Sequence, residues 1–149
     1  MRILLIAVDK LRQPFFQDAC ALYVRRLRPY YTIATAEVKA AVGGGAASTE
    51  AESILKRAAG SLLWAVDGSG RQLSSHDFAA KISAAEAAGT TSLALAVGGA
   101  RGLHPSVIAR ADFRWCLSAL TFPHEMARLI VWEQLYRAAK INHGEPYHR

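Results

Sequence analysis

Apolar residues run almost unbroken over positions 2–8, alternate with polar ones over 31–38, and run on again at 62–66, 92–97 and 113–117. Unbroken aliphatic runs of this length read as strands buried on both faces, and the alternating one as a strand with a single covered face. Between them the period lengthens to that of a helix. Pro14 opens a helical stretch that must stop before Pro29. Thr49 with Glu52 three residues on makes a capping box, Ala51, Ile54, Leu55 and Ala58 share a face, and Gly60 ends that helix. Residues 75–88 precede Gly89 as another helix, 105–109 form a short one, and 123 to about 141 a long last one. The stretch Val42-Gly43-Gly44-Gly45-Ala46 reads as a turn and 67–72 as a polar loop. Strands alternating with helices predict one α/β domain over residues 1–149: a mainly parallel sheet of five to six strands with helices on both faces.

In such sheets ligands bind at loops leaving the carboxyl ends of strands. Two late loops stand in that position: Val97-Gly98-Gly99-Ala100-Arg101-Gly102-Leu103 and Leu117-Ser118-Ala119-Leu120-Thr121-Phe122-Pro123-His124. They narrow the chemistry by what they lack. The turn after Val8 reads Asp9-Lys10-Leu11-Arg12 with no glycine, against a dinucleotide fold or the commonest class of methyltransferase. Gly98-Gly99-x-x-Gly102 has neither the Lys nor the Ser/Thr of a P-loop, and Asp67 displaces the first glycine of a hydrolase elbow.

At 149 residues the chain can bury roughly 70% of its unfolded surface without a staple. Cys20 and Cys116 have no CxxC partner, so reduced thiols in the cytoplasm are expected, with no structural metal. The apolar runs are too short to span a bilayer and the N-terminus lacks the shape of a signal peptide, so no membrane association is expected. Eighteen Lys and Arg against 12 Asp and Glu give a net charge of +6, compatible with a polyanionic partner.

The two late loops, the Asp67-Gly68-x-Gly70-Arg71-Gln72-Leu73 loop, Glu133-Gln134-Leu135-Tyr136-Arg137-Ala138 and the ending Pro146-Tyr147-His148-Arg149 occur in this order. Together they closely resemble the RlmH family of ribosomal RNA large subunit methyltransferases, of the SPOUT superfamily, over the whole chain. The resemblance implies a C-terminal trefoil knot, which pattern alone never suggests. It also implies a homodimer that transfers methyl from S-adenosylmethionine to N3 of a pseudouridine in a 23S rRNA hairpin loop, on the assembled ribosome. The family's cofactor contacts fall on Val66, Gly98, Leu117, Ser118, Ala119, Leu120, Thr121 and Phe122. Gly98, without a Cβ, would let the cofactor lie against the backbone, and the 117–122 loop would offer backbone groups and apolar walls to adenine.

The tail resembles the family's substrate-side segment, which reaches the partner's site. His148 is the candidate base, with an unperturbed pKa of about 6.5 suited to proton transfer near neutrality. Tyr147 is a candidate stacking ring and Arg149 a phosphate ligand. Arg137 joins the candidate catalytic set as a residue that orients RNA or a partner's carboxylate. Arg25, Arg26 and Arg28 cluster near the end of the first helix, as a solvated face or a second rRNA contact. His124 reads as a capping or packing residue, and His76, His104 and His143 as surface. On the last helix Met126, Leu129, Ile130, Trp132, Leu135, Tyr136 and Ala139 cover more than one stripe, enough for the sheet on one side and a second protomer on the other. Two other readings stand beside the enzyme: a ribosome-associated RNA-binding factor without turnover, and a flavodoxin-like domain that binds a small ligand.

Overall fold

The computed structural model describes residues 1–40 and 46–148, and the side chains from 48 within the second helix. The expected glycine turn at 42–46 falls almost wholly outside those residues, and Arg149 entirely so. Five strands, β1 (Arg2–Val8), β2 (Thr32–Val38), β3 (Leu62–Gln72), β4 (Ser92–Val97) and β5 (Phe113–Cys116), form one sheet in the order β2-β1-β4-β3-β5. Every pairing is parallel. The helices α1 (Pro14–Leu27), α2 (Ala46–Ala58), α3 (Ser75–Ala87), α4 (Pro105–Arg110) and α5 (His124–Asn142) connect and cover them.

The unbroken run of β1 is explained by its place between β2 and β4, where both faces are covered. Ile3, Leu5 and Ala7 point into a core with Leu27 of α1, Phe78 and Ile82 of α3, and Val131, Trp132 and Leu135 of α5. Leu4, Ile6 and Val8 point the other way, to Ala51 and Ile54 of α2 and Val107 of α4. Helices thus cover both faces. The first core is aromatic: Phe78 stacks on Trp115 with centroids 4.2 Å apart, and Trp64 meets Phe113 edge-on at 5.5 Å.

Two boundaries differ from the sequence reading. Helix α2 begins at Ala46, so Thr49 and Glu52 lie inside it and no capping box opens it. The stretch 67–72 is not wholly loop: β3 bulges after Val66 and pairs again, Arg71 with Trp115 and Gln72 with Cys116. Gly70 makes this possible, because a Cβ there would stand 2.6 Å from the Arg114 carbonyl carbon.

Only Glu125 and Arg128 are buried charged residues among those described. Arg128 donates from Nη1 to the carbonyl of Asp9 and from Nη2 to Glu37 Oε1, both at 3.0 Å, so α5 is tied to the ends of β1 and β2. Glu125 accepts from the backbone N–H of Arg12. Asp9 holds a left-handed backbone, φ 66°, and its Oδ1 accepts from the N–H of Ala40 at 3.3 Å. No helix among the described residues is long and apolar enough to cross a membrane, and none of them group into a metal-binding cluster.

Candidate active site

Strands β4, β3 and β5 are neighbours in the sheet, so the loops at their carboxyl ends converge. They enclose a cleft of about 730 Å³ that Val66, Leu117, Ser118, Ala119, Leu120, Thr121 and Phe122 all line. A second lobe of about 550 Å³ shares Val66, Gly99, Thr121 and Phe122 with it and adds Gly98 and His124. All eight sequence-predicted cofactor residues therefore border one recess. Its size suits a small organic ligand, for which sites run from about 300 to 1,000 Å³.

The 117–122 loop is braced from below. The Cys116 thiol donates to the carbonyl of Ser118 at 3.1 Å, and Ser118 Oγ accepts from the N–H of Leu120 at 3.0 Å. The backbone N–H groups of Ala119, Thr121 and Phe122 have no protein acceptor among the described residues, so they are open to water or a ligand. Leu120 is 72% exposed and lines the recess as an apolar wall. His124 Nε2 is buried without a hydrogen-bond partner beside the second lobe. Unpaired backbone donors, apolar walls and an orphaned ring nitrogen fit a ligand with an aromatic heterocycle and polar substituents. Sequence reasoning read His124 as capping or packing; it opens α5 but makes no capping bond.

Gly98 has a second reason to be glycine besides the expected one. A Cβ there would lie 2.4 Å from the Gly102 carbonyl carbon and 2.7 Å from the N of Leu103. The glycine lets its own loop close, with Gly102 N–H donating to Gly99 at 3.0 Å, and shapes the recess indirectly. Asp67 and Gly102 also line the cleft and were missed as individual contacts, although the sequence placed both in strand-end loops.

The tail lies elsewhere. Gly144, at φ 65°, reverses the chain after α5, and Glu145 locks the reversal by pairing with Lys140 and accepting from the Tyr30 hydroxyl at 2.7 Å. Lys140 first, then Tyr30, holds the Glu145 carboxyl below the usual range. Tyr147 then inserts among α1 and α5: its hydroxyl donates to Glu133 Oε1 at 3.1 Å and sits 3.2 Å from that of Tyr23, with its ring edge-on to Tyr136 and under the Arg137 guanidinium. Burial first, then the bond to Tyr23, pushes the phenol up, so it stays neutral. Arg137 is bound through Nε to Glu133 Oε1 at 3.1 Å, and this bond raises its pKa. Its Nη1 lies 3.2 Å from His148 Nδ1. His76, read as surface from sequence, faces the His148 ring edge-on with centroids 4.6 Å apart.

None of these tail residues lines the recess. Ala127 of α5 borders the recess, whereas Tyr147 packs on Tyr136, about 14 Å farther along the helix axis. Of the three arginines at the end of α1, Arg26 joins the tail, stacking over Tyr136 and Tyr23; Arg25 and the C-cap residue Arg28 are exposed nearby. His143 packs on Tyr30, and His104 caps α4 by accepting from the N–H of Ser106.

Residues 1–148 match the family model described as "Predicted SPOUT methyltransferase". The chain belongs to the SPOUT methyltransferase family. Curated relatives include proteins named ribosomal RNA large subunit methyltransferase H from Bifidobacterium adolescentis, 38% identical, and Carboxydothermus hydrogenoformans, 36% identical; each alignment covers all of both chains. Among solved structures the fold is similar to a probable methyltransferase from Bordetella pertussis, with a TM-score of 0.59 at 13% identity over 93% of this chain and 96% of that one. A probable methylase family protein from Haemophilus influenzae has the same TM-score at 16% identity, over 99% of this chain and 70% of that one. SPOUT methyltransferases use S-adenosylmethionine as methyl donor.

Proposed function

We propose that this chain methylates N3 of a pseudouridine in a 23S rRNA hairpin loop on the assembled ribosome in the cytoplasm. It works as a knotted homodimer, each recess being completed by the partner's tail. The observation that carries this reading is a separation: the eight cofactor residues share one recess, while Tyr147, His148 and Arg137 form a second, pre-organised cluster beyond its reach in the same chain. Exposed apolar side chains support association. Phe15 is 62% and Met126 37% exposed, and the Arg12–Glu125 hydrogen bond brings the starts of α1 and α5 together, so both lie at one corner.

S-adenosylmethionine supplies a methyl group activated by its positive sulfur. Val66, Leu117, Leu120 and Phe122 would give it apolar walls, and the free N–H groups of the 117–122 loop would bind its polar edges. The chain's part is mainly positioning, because attack must be in line with the bond that breaks. Arg26, Arg149 and the exposed Arg25 and Arg28 would hold rRNA phosphates and make binding salt-dependent.

Loss of the modified nucleotide from 23S rRNA in a deletion strain, read by mass spectrometry and restored by this gene, tests the activity. Restoration of ribosome binding without the methyl mark would favour a factor without turnover. Calorimetry tests the recess. Gly98→Ala drives a Cβ into the Gly102 carbonyl and forces the loop open, so affinity for S-adenosylmethionine should fall at least tenfold, about 1.4 kcal/mol, with the far-ultraviolet circular dichroism unchanged. Unchanged affinity would move the cofactor elsewhere. Site sharing has its own test. A Gly98→Val chain mixed with one lacking residues 147–149 should regain activity, since one site of each mixed dimer has both halves intact. If subunits demonstrably exchange and the mixture never exceeds either parent, the sites are not shared.

A further inference from the structure

Resting on that reading, we infer that His148 serves methyl transfer as a hydrogen-bond donor through Nε2–H, and is not the base that takes the imide proton. Its Nδ1 lies 3.2 Å from Arg137 Nη1. A guanidinium stays protonated and has donors only, so Nδ1 must be the acceptor. A neutral imidazole that accepts at Nδ1 carries its proton on Nε2. The lone pair a base would use is therefore covered by a cation.

The surroundings hold this arrangement. Glu133 fixes Arg137 from the same helix, and it also accepts from the Tyr147 hydroxyl, so the guanidinium and the tail share one anchor. His76, from α3, meets the His148 ring at 87° with centroids 4.6 Å apart. Among the described residues, the titratable groups against His148 are Arg137 from α5 and His76 from α3, with Glu133 and Tyr147 on the far side of Arg137. No carboxylate contacts the ring among the described residues, so nothing described draws the proton to Nδ1.

A donor is what this substrate needs. N3 of a uracil ring lies between two carbonyls; when its proton passes to water, the electron pair stays on the ring and the charge spreads to both oxygens. That pair then forms the N–CH3 bond as the methyl–sulfur bond breaks, its electrons remaining on sulfur to give a neutral thioether. A fixed Nε2–H beside Arg137 stabilises the oxygen-borne charge, and removal of one such donor typically lowers a rate by about 10²–10³.

Two measurements decide it. Long-range proton–nitrogen NMR of the full-length protein at pH 8, with His148→Ala to assign the signals, should show a pyridine-like Nδ1 and a pyrrole-like Nε2; the reverse pattern, or averaged shifts, overturns the inference. In single-turnover methylation on saturating ribosomes, His148→Gln keeps an N–H donor and should stay within about tenfold of the parent, while His148→Ala falls about 100-fold. The rate should rise with pH at the same slope in the parent and in His148→Gln. Equal losses in both variants, or an acidic limb that only the parent shows, would restore the base. If the parent itself fails to methylate ribosomes, it is the substrate reading that fails, and the NMR result still fixes the tautomer.

Discussion

Removing Tyr147, His148 and Arg149 should lower single-turnover methylation on saturating ribosomes by at least 100-fold, while S-adenosylmethionine affinity stays within about twofold. The two effects separate because the tail and the recess occupy different parts of the chain. No described tail residue borders the recess, and the walls at 66, 98 and 117–122 keep their own supports, including the bonds from Cys116 and Ser118. The root of the tail also survives the cut, since Glu145 remains paired with Lys140 and Tyr30. Loss of the Tyr147 ring and its hydrogen bonds costs about 2 kcal/mol of stability, too little to unfold a domain of this size. Near-normal turnover by the truncated protein would make the tail a packed terminus and place the substrate-side chemistry elsewhere.

That the tail matters was legible from sequence; how it is held was not. Pro146-Tyr147-His148-Arg149 stood out as a motif, but Glu133, Tyr23 and His76 reach it from three helices, and no local pattern connects positions 23, 76 and 133 to 147 and 148. The sheet was easier. Strand β4 after Ser92 and the aliphatic part of β1 are apolar throughout because neighbours cover both edges and faces, and such runs announce themselves. The second half of β3 hid because its polar residues follow a bulge at the sheet's rim, where β-pairing with β5 makes no demand for apolar side chains. Thr49 misled for a similar reason: a Thr-x-x-Glu pair inside α2 satisfies the capping pattern without a helix end to cap. Gly98 stands out in the sequence by its position, but only the structure shows that its neighbour across the turn is Gly102.

Arg128 is the position where a single change should damage the fold most. Its side chain is 3% exposed and holds the Asp9 carbonyl and the Glu37 carboxylate together at the ends of β1 and β2. Arg128→Ala leaves a cavity against Trp132 and Cys20, an unpaired carboxylate and a carbonyl without its donor at a residue already in the left-handed region. Loss of the guanidinium's hydrogen bonds and of its buried stem costs about 2–4 kcal/mol, which for a chain of this length lowers Tm by roughly 10 °C. Glu37→Gln leaves the 3%-exposed guanidinium without its counter-charge; because the amide oxygen still accepts from Arg128, the loss should be held to about 2 kcal/mol. The pair gives the test its internal control. Urea denaturation of both variants and of the double variant measures the coupling, and the Arg128→Ala loss should shrink when Glu37 is already neutral, since less charge is then stranded. An Arg128→Ala protein within 1 kcal/mol of the parent would mean that water enters and replaces the guanidinium, and that the apolar contacts of α5 alone fix its position on the sheet.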